Sequence, residues 1–148
     1  MNQLIKKINF LEFSLDKPMG KYSEIRILER FISYSTTNYK TEKTISSDFS
    51  DIDKDKLSVL INDLNTLNLK KWKKSYISYK IPNPITWSLL IRYNDNKNIK
   101  EYFGSNEFPI PTVKNSPFHP NSSTSFTPEF LALLKALNKV LDKRTFFK

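Results

Sequence analysis

Cysteine is absent from this chain, glycine occurs only twice and histidine once. Each shortage closes a class of chemistry. Without cysteine there is no disulfide, no thiolate nucleophile, no zinc–thiolate site and no iron–sulfur ligation. A small chain without disulfides suits a reducing compartment, so a cytoplasmic location is the expectation. Gly20 and Gly104 stand far apart, so neither a phosphate-cradling loop nor a dinucleotide-binding turn can be written, because both cluster glycines where the backbone approaches phosphate. The single histidine lies in Pro117-Phe118-His119-Pro120, with no nucleophile elbow nearby to make it a catalytic base. A transition-metal site wants two or three nitrogen or sulfur ligands and finds one. No stretch approaches the roughly 18 apolar residues that span a bilayer, and no signal-peptide pattern opens the chain. The expectation is a protein without cofactor or metal that is not an enzyme.

What is present is aromatic and basic. Eleven Phe, seven Tyr and two Trp offset an apolar fraction of 39%, and 148 residues suffice for one domain with a core. The formal net charge is +9, from 24 Lys and Arg against 15 Asp and Glu. Such a surface attracts polyanions and acidic protein faces alike. Most of this charge is Lys; only Arg26, Arg30, Arg92 and Arg144 carry a guanidinium fork.

Alternation marks strands at Phe10–Leu15 and Tyr22–Leu28, joined by a turn containing Pro18 and Gly20, and a third at Phe31–Thr36. The polar stretch 38–50 reads as a loop or an extension of that strand. Asp51 or Asp53 can then cap a helix whose Leu57, Leu60, Ile61, Leu64 and Leu67 form one stripe, with Asn68 as its stop. Asp48, Asp51, Asp53 and Asp55 superficially suggest oxygen ligands for a cation, but the central Gly and terminal Glu of an EF-hand are missing, and acids before a helix complement its dipole. A further strand spans Tyr76–Ile81. Trp87, Leu89, Ile91 and Tyr93 alternate with Ser88, Leu90, Arg92 and Asn94 to give the strongest strand, which reverses at residues 94–98 and returns through Ile99–Phe103. A Pro- and Ser-rich loop fills 109–126. Thr127-Pro128-Glu129 opens a second helix with Phe130, Leu133, Leu134, Leu137 and Leu141 on its buried face. The expected fold is one α+β domain over residues 1–148. Its single antiparallel sheet of five or six strands carries two amphipathic helices on one face, with a β-β-(β)-α pseudo-repeat.

Candidate binding residues fall in three groups. Lys70, Lys71, Lys73 and Lys74 surround Trp72, where lysines attract phosphate and an exposed indole stacks on a base or a protein. The alternative is a buried indole with lysines serving solubility or guarding a sheet edge. Lys135, Lys139 and Arg144 make a basic side of the second helix. Phe118 and His119 in the long loop, with Arg92, complete the set. No helix-turn-helix, finger spacing or RNA-recognition aromatic pair is present.

Trp87-Ser88-Leu89-Leu90-Ile91-Arg92-Tyr93, followed by Gly104-Ser105-Asn106-Glu107-Phe108-Pro109, resembles a pattern in small uncharacterised proteins of Firmicutes and their mobile elements. The resemblance implies a strand–hairpin unit in which Trp87, Gly104, Asn106 and Pro109 are structural. This chain departs from the pattern with Asn96 at the turn and an inserted loop before the helix. The expected function is a binding protein of phage or mobile-element type that engages a host protein or nucleoprotein, with stoichiometric inhibition as one form of such action. The alternative is a non-specific nucleic-acid binder using a Lys-rich surface. No membrane partner is expected.

Overall fold

The computed structural model describes residues 4–77, 84–109 and 126–141. Among them run eight strands and two helices: β1 Ile8–Asp16, β2 Lys21–Leu28, β3 Phe31–Asn38, β4 Lys43–Ser46, β5 Ser50–Asp51, α1 Lys54–Thr66, a 3-10 turn at Leu69–Lys71, β6 Ser75–Ile77, β7 Thr86–Tyr93, β8 Asn98–Ser105 and α2 Pro128–Leu141. They form one sheet in the order β4-β3-β2-β1-β7-β8-β6, with β5 beside β3.

The α+β class and the two helices follow from the alternations noted above; the strand count does not. Eight strands replace the expected five or six, because the polar stretch 38–50 folds back onto β3 as β4 and β5. All four β4 residues are exposed, so no apolar alternation announces them. Cross-strand polar pairs hold the hairpin instead: Thr37 and Thr44 hydroxyls lie 2.9 Å apart, and the Ser47 amide donates to the Tyr34 carbonyl at 2.9 Å. The sheet is also mixed. β6 pairs with β8 in parallel, whereas β1 to β4 pair antiparallel throughout. Among the described residues the two halves thus pair their strands differently.

Side chains alternate cleanly on the central strands. Leu11, Phe13 and Leu15 of β1, Ile25 and Ile27 of β2, and Trp87, Leu89, Ile91 and Tyr93 of β7 all face one side and are buried. A one-residue bulge at Asn9 shifts the phase of β1 and turns Ile8 inward too. The Asn9 side chain accepts from the Asn96 amide at 2.8 Å, so the bulge is tied to the β7–β8 turn, where Asn94, Asp95 and Asn96 all adopt positive φ.

α2 lies on this buried side. Phe130 packs its ring against Phe13, Trp87, Phe108 and Phe126 with centroids 4.8–6.0 Å apart. The helix begins where Thr127 accepts from the Phe130 amide at 3.3 Å, and the Thr127 hydroxyl donates to the Pro109 carbonyl. The chain thus leaves β8 and re-enters α2 at one place. α1 packs beside α2, with Lys139 reaching Asp63 at 3.4 Å. Asp53 caps α1 by accepting from the Asp55 amide at 3.1 Å, and Asn68 leaves it in the left-handed conformation.

Candidate functional site

Two surfaces of unlike character emerge. The first is the side of the sheet that the helices leave uncovered. Across the central strands β8, β7, β1, β2 and β3, the register sets four cross-strand rows of five residues on that side. One end row runs Ile99, Arg92, Phe10, Leu28, Phe31. The next runs Glu101, Leu90, Glu12, Arg26, Ser33. The third is Phe103, Ser88, Ser14, Glu24, Ser35, and the last Ser105, Thr86, Asp16, Tyr22, Thr37.

Two properties stand out. Although the chain holds 24 Lys and Arg, none of these twenty positions is lysine; four carboxylates face two guanidinium groups. The lysines of the chain all stand at other positions. The end row is also apolar and open, with Ile99 57%, Leu28 49% and Phe31 38% exposed, and Arg92 exposed among them. Arg30 stacks over the Phe31 ring at 5.4 Å. Further in, the face is polar and ordered: Arg26 donates to Glu12 at 2.8 Å, Ser14 and Ser88 pair at 2.8 Å, and Tyr22 donates to Glu24 at 3.0 Å.

The second surface is the turn between α1 and β6. Here the indole of Trp72 is buried, edge-on to Trp87 and Tyr102 at 6.2 and 5.5 Å. Of the two readings of the Lys70–Lys74 cluster, the structure shows the buried ring, so Trp72 is not a stacking surface. The physical reason is aromatic packing against Trp87 of β7 and Tyr102 of β8. Lys70, Lys71, Lys73 and Lys74 are all exposed. The Tyr102 hydroxyl donates to the Leu69 carbonyl at 2.7 Å, and the Lys73 amide donates to the Tyr76 oxygen at 2.7 Å.

Burial, with Tyr93 and Tyr76 adding charge repulsion, pushes the Tyr102 phenol up to about 12. A tyrosine whose folded pKa exceeds its unfolded value, near 10, is favoured neutral in the fold. Its contribution is therefore complete below about pH 10 and lost as pH climbs toward 12. Urea melts taken across that window should show stability falling, and Tyr102→Phe should start lower by about 1 kcal/mol and fall less steeply. Parallel declines in both proteins would contradict this assignment. Tyr76 is raised in the same direction, mainly by burial.

The remaining candidates are dispersed. Arg92 belongs to the uncovered sheet face. Lys135 and Lys139 are exposed on α2, and Lys139 already pairs with Asp63. Phe118, His119 and Arg144 lie outside the described residues, as do residues 110–125 of the Pro- and Ser-rich loop. Among the described residues, no three acidic or histidine side chains gather to hold a metal ion, and Asp53 serves as a helix cap. No described helix is long and apolar enough to cross a membrane. An open cleft of about 260 Å³ lies between Leu4, Ile5, Leu64, Asn65, Lys70 and Lys100, small beside ligand pockets of about 300–1,000 Å³.

Trp87, Gly104, Asn106 and Pro109 form a structural knot. The Trp87 Nε1–H donates to the Glu107 carbonyl at 2.8 Å directly over Gly104, where a Cβ would sit 2.2 Å from Nε1. Asn106, at φ 56°, accepts from the Ile85 amide at 2.9 Å. Among the described residues, the buried side-chain polar atoms without a partner are Asn106 Nδ2, in this knot, and Glu129 Oε2, in the first turn of α2. No family model and no curated protein matches the chain.

Proposed function

We propose that the protein acts by recognition, and that the uncovered sheet face binds a folded protein whose contact surface sets basic groups around an apolar patch. The observation that carries this reading is the absence of lysine from twenty neighbouring positions of a lysine-rich chain, with an apolar row at one end. Lysine is depleted where surfaces are buried in complexes, while Arg and large aromatic or aliphatic groups act as anchors. Arg92, Phe10, Leu28 and Phe31 have that composition.

Size and charge support the same reading. Five strands about 4.8 Å apart and eight residues long at about 3.3 Å each cover roughly 600 Å² in projection, comparable with the roughly 800 Å² that one partner contributes to a standard interface. A second copy fits poorly, since apposing two such faces would gather eight carboxylates against four guanidinium groups. Nucleic acid fits worse, because the face is net acidic. A complex here would block whatever the partner normally contacts, which is stoichiometric action and needs no reacting group. A host protein or nucleoprotein is the partner class this reading favours.

The test compares affinity capture by the wild type, by a Leu28→Glu/Arg92→Glu variant, and by Leu131→Glu on the exposed side of α2. A discrete protein recovered by the wild type and Leu131→Glu, retained after nuclease treatment and reduced at least tenfold with the sheet-face variant, is the expected result. Equal recovery by all three, or recovery of the chain itself alone, would overturn the proposal. Circular dichroism confirms that the variants fold.

A further inference from the structure

Independently of the sheet face, we propose that the segment Leu69–Lys74 is a contact for the phosphodiester backbone of nucleic acid, without base preference. Four of its six residues are lysines, all exposed, and among the described residues none has a carboxylate within ion-pair distance. Lys100 borders the same cleft as Lys70 and adds a fifth cation to this side.

The segment is held rigid from beneath. Tyr102 fixes the Leu69 carbonyl, Trp72 is wedged against Trp87 and Tyr102, Tyr76 accepts from the Lys73 amide, and the Lys74 carbonyl accepts from the Phe103 amide at 3.0 Å. Charges on a fixed backbone lose less freedom on binding than charges on a loose loop. Trp72 holds its ring inward, so the surface offers point charges with no aromatic anchor. That favours a uniform line of phosphates over a protein, whose recognition relies on buried anchors. It also predicts no sequence reading, because flexible lysine stems position a duplex without reading its base edges. Lys73 and Lys74 stand beyond the last turn of α1, outside the reach of its dipole.

The experiment titrates the full chain into a short fluorescent duplex and its single strand across a range of salt. For four phosphate contacts the duplex slope of log affinity against log salt should be about −3 to −4. Lys73→Gln/Lys74→Gln should reduce the magnitude of that slope by about two. Lys135→Gln/Lys139→Gln, which removes the same charge from α2, should leave it unchanged. Undetectable binding at low ionic strength would overturn the proposal, as would equal effects of the two pairs, which would indicate diffuse net charge. Polyglutamate competing as well as the duplex would also overturn it, by assigning the lysines to acidic protein surfaces.

Discussion

Replacing Gly104 by alanine is expected to destabilise the fold by about 3–5 kcal/mol and to lower the melting temperature by roughly 10–15 °C. The reason is contact, not backbone freedom, since no glycine here has positive φ. An added Cβ would meet Trp87 Nε1 at 2.2 Å and the Glu107 carbonyl oxygen at 2.6 Å. Carbon cannot occupy that space. The indole must move, its 2.8 Å hydrogen bond to Glu107 breaks, and the ring loses its seat beside Trp72, Tyr76 and Phe130. Chemical denaturation with a tryptophan fluorescence readout measures the loss. A change under about 1 kcal/mol would mean that the knot at Gly104 is looser than described.

Phe130→Ala should cost a similar amount, about 3–5 kcal/mol, for a different reason. Phe130 is fully buried, and four rings converge on it: Phe13 of β1, Trp87 of β7, Phe108 just after β8 and Phe126 just before α2. Removing it leaves a cavity that these large, mutually braced rings cannot collapse to fill. Phe130→Leu should recover part of the loss. Hydrogen exchange would locate the weakness: protection should fall first in α2, with β2 and β3 least affected. Uniform loss of protection, or equal stability of the two variants, would contradict this placement of α2.

Why some of this was readable in sequence, and some not, follows from where water sits. β7 alternates strictly because one side meets α2 and the other meets solvent, so Trp87, Leu89, Ile91 and Tyr93 announce a half-buried strand. α2 carries its start in Thr127-Pro128-Glu129 and its buried face in leucines at helical spacing. Asn68 ends α1 for the conformational reason its residue type implies. β4 gives no such signal, since solvent reaches every residue of Lys43–Ser46 and only its pairing to β3 makes it a strand. The parallel entry of β6 depends on tertiary placement that local pattern does not encode. The bulge at Asn9 is faintly visible: counting inward from Phe13 and Leu11 lands on Asn9, a poor core residue, one step from Ile8.

The candidate surfaces divide in the same way. A lysine cluster is visible in sequence by contiguity, but burial of Trp72 within it depends on Tyr102 and Trp87, 30 and 15 residues away. The lysine-free face is spread over alternate positions of five strands. Only the pairing register assembles Phe10, Leu28, Arg92 and Ile99 into one row. For the strands at Phe10–Leu15, Tyr22–Leu28 and Trp87–Tyr93, the outward residues include Glu12, Ser14, Glu24, Arg26, Ser88 and Arg92 with no lysine among them, which is the part of that signal present in the sequence.

The central claim is that recognition happens on the uncovered sheet face, and position-specific photo-cross-linking in the native cell tests it most directly. A photoreactive residue replaces Leu28 in one protein and Leu131, equally exposed on α2, in another. The account predicts a discrete protein adduct from position 28 and none from position 131. Adducts of equal yield from both, adducts to a second copy alone, or none from position 28 would contradict it.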